Sequence, residues 1–287
     1  MDAELKDPSI VARRSEPDST GLKEEVREFW DRHSCGEGYA LGADLRAQLE
    51  AQARTRYELE PYLPQFARFH EGADRDVLEV GVGMGADHLE WAKSGPRSLT
   101  GVDLTPRAVE FTRSRLAAWG FTPNVRVADA ENLPFEENRF DLVYSWGVLH
   151  HSPDTPKAIG EVHRVLRPGG IARIMIYHKY SVLGYMLWLR YALFAGRPWR
   201  SLAYIYAHHL ESPGTKAYSV AEGRQLFSRF SRAEVRSHLS FGDLMQGGVG
   251  RRHRGPLLSV AKTLWPRWLI KRAFKSHGGM LLIDAVK

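Results

Sequence analysis

A glycine-rich turn follows an apolar segment at residues 77–85, and one carboxylate, Glu79, stands just before the turn. The turn contains Gly81, Gly83 and Gly85, whose missing side chains let a bulky ligand pass close to the backbone. Free N–H groups and the positive end of a following helix attract an anionic group to such a turn. We therefore expect a nucleotide cofactor to bind here.

Two further apolar segments also end in carboxylates. Residues 99–102 lead into Asp103, where a carboxylate can accept both hydroxyls of a ribose. Residues 125–127 lead into the Asp-Ala-Glu sequence at 129–131, where a side-chain acceptor and a backbone N–H can read the edge of an adenine. Together the three segments predict three strands, each with a polar ligand-binding position at its carboxyl end. We call these three positions the stations.

By itself, the glycine turn is compatible with more than one kind of nucleotide cofactor. Residues 81–86 also fit the dinucleotide fingerprint G-x-G-x-x-A, with Asp103 where that fingerprint places its ribose carboxylate. Against a dinucleotide, neither residues 129–131 nor the Leu-His-His segment at 149–151 has a role in hydride transfer. NAD-dependent oxidation remains the alternative prediction, beside a non-catalytic protein that only binds the cofactor.

Further motifs resemble, in their order, those of the class I S-adenosylmethionine-dependent methyltransferases. They are Ala130-Glu131-Asn132-Leu133-Pro134-Phe135, Phe140-Asp141-Leu142-Val143-Tyr144-Ser145, Val148-Leu149-His150-His151 and Val165-Leu166-Arg167-Pro168-Gly169-Gly170. The resemblance covers about residues 76–178 and implies S-adenosylmethionine as the cofactor. It implies that Glu79 lies by the methionine end, that Asp103 takes the ribose and that Asp129 takes the adenine amino group. The cofactor-binding residues expected on this resemblance are Glu79, Gly81, Gly83, Gly85, Asp103, Leu104, Asp129, Ala130, Glu131 and Ser145.

Methyl transfer asks the protein mainly to position an acceptor, and a general base is optional. His150 and His151 follow the fourth predicted strand, and Tyr177 and His178 close the fifth, so these four are the candidate catalytic residues. Adjacent histidines cannot easily face one spot, so at most one of the pair is expected to act directly. A hydrogen bond from ring to loop backbone is the alternative for each. No metal is expected, because no further ligand stands at the right spacing near the His-His pair.

Alternating helical and apolar segments predict an α/β fold. We expect a seven-stranded, Rossmann-like, doubly wound sheet, mostly parallel, whose last strand is antiparallel if the family resemblance holds. An N-terminal helical cap and an inserted helical lid after strand five complete the prediction. The expected divisions are a disordered N-terminus at 1–21, a cap at 22–75 and a methyltransferase domain at 76–287, with helical, basic insertions at about 180–218 and 242–278.

Charge is distributed unevenly along the 287 residues. Residues 179–287 hold 18 Lys and Arg against 5 Asp and Glu, whereas residues 1–178 hold 22 against 29, which gives the net charge of +6. The basic half also contains a nearly wholly apolar stretch at 181–194, shorter than the ~20 residues that span a bilayer. This region predicts a lid or core over the acceptor, a peripheral membrane contact or a homodimer face, and the three remain open.

The predicted function is methyl transfer to a small-molecule or lipid-like acceptor, which the arginine excess suggests is anionic. A nucleic-acid substrate is not favoured, because residues 145–148 read Ser-Trp-Gly-Val instead of the Asn or Asp-Pro-Pro-aromatic motif of many base methyltransferases. Acidic residues and no apolar core near the N-terminus argue against a secretory signal, and Cys35 as the single cysteine excludes an internal disulfide. The expected location is therefore cytoplasmic, with peripheral contact to the inner face of the membrane as an alternative.

Overall fold

The computed structural model describes residues 19–32, 34, 36–246 and 265–287. The expected disorder of the N-terminus therefore lies mostly outside the described residues, as does much of the second predicted insertion. The first helix is present from Ser19, three residues before the predicted start of the helical cap at residue 22.

Seven strands form one sheet in the order β3-β2-β1-β4-β5-β7-β6. The strands are β1 Asp76–Val80, β2 Ser98–Asp103, β3 Val125–Val127, β4 Phe140–Trp146, β5 Leu166–Tyr177, β6 Arg232–His238 and β7 Met280–Val286. The pairs among β1 to β5 are parallel, and β7 runs antiparallel to both β5 and β6. The predicted mostly parallel sheet with an antiparallel last strand is confirmed.

Ten helices flank or extend this sheet within the described ranges. They are α1 Ser19–Arg32, α2 Leu45–Leu59, α3 Leu63–Ala67, α4 Ala86–Lys93, α5 Pro106–Ala118, α6 Thr155–Val165, α7 Val182–Trp188, α8 Leu202–His209, α9 Val220–Leu226 and α10 Arg267–Ala273. Polar side chains cap the starts of several helices: the Thr105 side chain accepts the N–H of Ala108, and Ser219 and Glu222 form a capping box at the start of α9. None of the described helices is long and apolar enough to cross a bilayer.

The core fixes the strands that carry the candidate site. Leu78, Val143, Ile174 and Ile283, from four adjacent strands, are all fully buried in one apolar cluster. Burying a side chain of this size stabilises the fold by about 1.5–3 kcal/mol. The carboxyl ends of β1, β4 and β5 are therefore held in register at one edge of the sheet.

Strand β5 begins at Leu166, which pairs with Phe140 before the register shifts, so Pro168, Gly169 and Gly170 lie within the strand. Helix α10 begins directly after Pro266, which stands at its N-cap.

The segment after β5 forms a helical hairpin. Helix α7 continues into one π-helical turn, Leu189–Leu193, and packs against α8 around Leu187, Ala192 and Ile205. The hydroxyls of Ser181 and Tyr206 lie 2.8 Å apart and join the base of the hairpin. We call residues 181–210 the hairpin below.

Candidate active site

The glycine turn connects β1 to α4 with three residues of positive φ: Gly81 at 84°, Gly83 at 52° and Gly85 at 74°. A Cβ atom on Gly81 would lie 2.1 Å from Cγ2 of Val148, so the tight approach of the two loops requires glycine there. A Cβ atom on Gly83 would meet nothing within 4 Å. Gly83 therefore faces open space, as a ligand-binding turn requires.

Asp103 ends β2 and bonds directly to the glycine turn. Its Oδ2 accepts the N–H of Gly83 at 3.1 Å, and its Oδ1 accepts the N–H and hydroxyl of Thr105 at 3.0 and 2.9 Å. Burial raises the pKa of Asp103, against these hydrogen bonds, which lower it. The following residue, Leu104, is half-buried at the same edge.

The third station, after β3, contains a cation that the sequence analysis did not identify. Nζ of Lys23, on α1, lies 2.6 Å from both Asp129 Oδ2 and Glu131 Oε2. Asp129 Oδ1 accepts the N–H of Glu131, and Glu131 also accepts the N–H of Asp154 at 2.9 Å. Ala130 packs against the main core cluster. The first helix thus covers the two carboxylates expected to face the adenine.

Glu79 is buried within β1 and is partnered by a histidine. Its Oε2 lies 2.9 Å from Nδ1 of His88 on α4. Burial raises the pKa of Glu79 well above its usual value and lowers the pKa of His88 to about 3. Both shifts favour an uncharged pair when no further charge is near. Ser145, also fully buried, donates its hydroxyl to the carbonyl of Val80 at 2.8 Å and ties β4 to β1.

A second buried charge network lies beneath the turn. Asp87, in the first turn of α4, accepts two bonds from Arg56 at 2.9 and 2.6 Å, and hydroxyls of Tyr57 and Tyr144 at 3.0 and 2.8 Å. Arg56 also lies 3.5 Å from Glu60. The network fixes α2 against α4.

Three of the four candidate catalytic residues meet at the ends of β4 and β5. The ring of His150 lies between those of Tyr177 and His151, with centroids 4.0 and 4.2 Å away. His150 is fully buried, and neither ring nitrogen has a hydrogen-bond partner among the described residues. Burial, reinforced by His151 and Lys216, holds the pKa of His150 well below its usual value. His150 is therefore a neutral imidazole.

His151 has polar partners on both sides of its ring. Its Nδ1 lies 2.8 Å from the hydroxyl of Ser212 and 3.1 Å from that of Thr215, and its Nε2 lies 3.5 Å from Oε2 of Glu211. The edge of Trp30, on α1, contacts the same ring at a centroid distance of 5.2 Å. The base of the hairpin and the first helix thus enclose His151.

His178 is separated from this group. Successive residues of a strand point to opposite faces, so His178 and Tyr177 diverge. Nδ1 of His178 lies 2.8 Å from the carbonyl oxygen of Gly278, and burial lowers its pKa. His178 is thus linked to the start of β7 and away from the other three.

Comparison with known proteins identifies the domain. Residues 78–174 match the family described as "Methyltransferase domain". A 27-O-demethylrifamycin SV methyltransferase from Amycolatopsis mediterranei is 32% identical over 158 residues, 48% of this chain and 56% of the relative. A phthiotriol/phenolphthiotriol dimycocerosates methyltransferase from Mycobacterium leprae is 44% identical over 96 residues, 33% of this chain and 34% of the relative. The chain thus spans about a third to a half of these curated relatives.

The fold agrees with this match. The structure of Haemonchus contortus phosphoethanolamine N-methyltransferase 2, in complex with phosphomonomethylethanolamine and S-adenosylhomocysteine, superposes with a TM-score of 0.57. It is 16% identical and covers 91% of this chain and 60% of that one, a likeness of fold. Residues 78–174 thus belong to this methyltransferase family, and the sheet that contains them has the class I, Rossmann-like methyltransferase fold.

Within the methyltransferase domain, sequence reasoning missed the partners that come from distant segments. Lys23 bonds to Asp129 and Glu131, and Glu211 bonds to Tyr177 beside His151, yet neither belongs to a family motif. One signal was available for Glu211, because it is the single acidic residue between Glu161 and Glu222. No group of side chains suited to hold a metal occurs in the described segments.

Proposed function

We propose that the protein transfers a methyl group from S-adenosylmethionine to a small-molecule or lipid-like acceptor. The observation that carries this proposal is the bond from Gly83 N–H to Asp103, which joins the glycine turn to the ribose station at the carboxyl edge of the family's sheet. Ligands of open α/β sheets bind at that edge.

The residues present fit this cofactor. The open space at Gly83 gives room for a ligand against the turn, and Oδ2 of Asp103, which accepts only the N–H of Gly83, keeps a lone pair for a ribose hydroxyl. Asp129 and the adjoining backbone suit an adenine edge, and Lys23 has to share or release Asp129 when adenine binds. Glu79 would lie toward the methionine end. When bound, the cofactor would supply an electrophilic sulfonium methyl group, which a suitably aligned nucleophile can attack with S-adenosylhomocysteine as the leaving group.

We propose His151, not His150, as the general base for acceptors that carry a proton. A general base needs a free nitrogen and a partner that fixes its tautomer. In His151, a hydroxyl of Ser212 or Thr215 can accept from Nδ1, which leaves Nε2 on the side of Glu211. His150, neutral and enclosed by rings, suits a wall of the acceptor pocket, and Tyr177 suits a hydrogen-bonding role there.

The acceptor class is inferred from the walls of the site. The hairpin is largely apolar, and both of its ends lie next to the site. Trp30 covers His151 on the opposite side. Such a lining excludes water from the transfer and accommodates an apolar acceptor. The relatives named for demethylrifamycin and for phthiotriol dimycocerosates support a small-molecule or lipid-like acceptor for this protein.

Cofactor choice is tested by thermal unfolding with S-adenosylmethionine, S-adenosylhomocysteine, NAD and NADP. Stabilisation by the first two alone is expected, since binding to the native state raises the melting temperature. Stabilisation by dinucleotides alone would replace the proposal with the oxidoreductase alternative.

The acceptor is found by incubating the protein with a cell extract and S-adenosylmethionine carrying a deuterated methyl group. Mass spectrometry should detect a product heavier by one labelled methyl group, absent from a reaction without the protein and reduced in an otherwise identical reaction with the D103A variant. Cofactor binding without any labelled product from lipid and aqueous fractions would support a non-catalytic cofactor-binding protein.

A further inference from the structure

Two aromatic side chains stand in solvent at the end of the hairpin farthest from its base. Phe194 is 81% exposed and Trp199 is 78% exposed, next to Leu193 at 42%. We call residues 193–200, with the sequence Leu-Phe-Ala-Gly-Arg-Pro-Trp-Arg, the aromatic tip. Exposed aromatic residues cost solvation without contributing to the core, so a cluster of them marks an interaction surface.

The tip is a defined turn. The indole N–H of Trp188 donates to the carbonyl of Arg200 at 2.8 Å, and the N–H of Arg197 donates to that of Ala192 at 2.8 Å. The N–H of Gly196 donates to the carbonyl of Leu193 at 3.0 Å. These bonds hold the two rings outward, so binding through them requires little ordering of the turn.

The charge around the tip is of one sign. Arg190, Arg197 and Arg200 surround it, and the sequence contains no Asp or Glu between Glu161 and Glu211. Within the described part of the chain, none of these arginines forms an ion pair with a carboxylate. The surface is therefore suited to a partner that is anionic and apolar at once.

A second exposed element repeats this composition beside the hairpin. On α10, Trp268 is 73% exposed, and Arg267, Lys271 and Arg272 accompany it without an acidic residue. Ile270 of the same helix packs against Val182, at the start of the hairpin. Basic residues with exposed tryptophan thus occur at two places on one structural unit.

We propose that the aromatic tip docks on the surface of an anionic lipid bilayer. Phe194 and Trp199 would enter the boundary between headgroups and acyl chains, and the arginines would contact lipid phosphates. A protein partner offering the same chemistry would need an acidic, apolar surface, whereas an anionic membrane presents both properties over its whole area.

The docking would bring the candidate site close to the bilayer. Tyr177 precedes the hairpin and Glu211 follows it, so both ends of the hairpin lie at the acceptor side. The helical run 182–193 is about 18 Å long at 1.5 Å per residue. The inference goes beyond methyl transfer, and binding to vesicles requires neither cofactor nor turnover.

The test is co-sedimentation of the full chain, without methyl donor, with vesicles of phosphatidylcholine alone or mixed with phosphatidylglycerol. Binding to the mixed vesicles only, weakened by added salt, is expected. F194S/W199S should weaken it at least tenfold, roughly the effect of losing burial of one large apolar side chain. R197Q should weaken it roughly fivefold, the scale of one basic residue near an anionic surface.

L41S is the matched control, because Leu41 is 75% exposed and lies outside the hairpin. It should bind as the wild type does, and thermal unfolding should be alike for all variants, since the changed side chains are exposed. If F194S/W199S is poorly folded, R190Q/R197Q repeats the test.

Absence of binding to mixed vesicles, or equal binding by the tip variants, would overturn the proposal. A wild-type dimer that becomes a monomer in F194S/W199S, without vesicle binding, would assign the tip to a second copy. Thermal stabilisation by S-adenosylmethionine is measured separately, so failure of the methyltransferase proposal would be distinguishable.

Discussion

The phenol of Tyr177 donates a hydrogen bond of 2.8 Å to Oε2 of Glu211, and the same oxygen lies 3.5 Å from Nε2 of His151. Tyr177 ends β5, whereas Glu211 lies beyond the hairpin, so one carboxylate joins the sheet to the inserted segment. This carboxylate accepts from Tyr177 and can stabilise the imidazolium that His151 becomes when Nε2 takes a proton, which gives it a positioning role in the proposed reaction.

E211Q should lower kcat for an acceptor that loses a proton by roughly 10- to 100-fold, less than the roughly 100- to 10,000-fold contribution of a general base, because Glu211 acts only through its neighbours. The affinity for S-adenosylmethionine should change less than about twofold, because Glu211 makes no contact with the glycine turn or the strand-end carboxylates. Methyl transfer to the acceptor found in the extract, measured across pH, provides the readout. E58Q, at an exposed position, is the control, and an E211Q profile that matches it would remove Glu211 from the mechanism.

D103A should weaken binding of S-adenosylmethionine by about 1–3 kcal/mol, the scale of a charge-assisted hydrogen bond. Titration calorimetry measures this loss. T105A serves as the comparison, because it removes the hydroxyl that bonds to Asp103 and caps α5 but keeps the carboxylate. It should cost stability of about 1 kcal/mol and little affinity. Equal affinity losses in both variants would mean that loop structure, not ribose recognition, explains Asp103.

The strand-end stations could be predicted from the sequence because the pattern that specifies each of them lies within a few neighbouring residues. An apolar run followed by Asp103 or by Asp129 predicts a strand and its end, and parallel strands bring those ends to one edge. The family motifs add the order of the strands. The predicted sheet and its antiparallel last strand were confirmed on this basis, whereas the cofactor contacts and the division into domains stay predictions.

Partners from distant segments could not be predicted in the same way. Lys23 and Asp129 are 106 residues apart in sequence, and Tyr177 and Glu211 are 34 apart. Such pairs depend on how the cap and the hairpin pack, and neither has a motif or a period that specifies its contact. His150 and His151 illustrate this limit. Their adjacency predicted that at most one of them would act directly, but which ring has a nitrogen facing a carboxylate depends on the distant segments packed around it.

G83A should reduce cofactor affinity far more than it reduces stability. Gly83 has a positive φ of 52°, so alanine costs about 1 kcal/mol of strain, but the added Cβ would meet no protein atom within 4 Å. G120A is the matched control, because Gly120 has a φ of 78° and equal free space, in the turn after α5. Urea unfolding should give similar losses for both, whereas calorimetry should show at least a tenfold weaker cofactor only for G83A. Unimpaired binding by G83A would place the cofactor elsewhere.

E60Q should remove a pH dependence of stability. Glu60 is buried beside Arg56, and burial raises its pKa from 4.5 to about 7. The folded state therefore holds a proton on Glu60 that the unfolded chain releases above pH 4.5, so stability falls as pH rises from 4.5 to about 7 and then levels off. Because one pKa unit corresponds to about 1.4 kcal/mol, the loss is roughly 2–4 kcal/mol.

Glutamine stays neutral, so urea unfolding should show E60Q gaining this amount over the wild type between pH 5 and pH 8. E58Q, on the exposed side of α2, should show no such gain, and a gain of the same size in both variants would refute the assignment to Glu60.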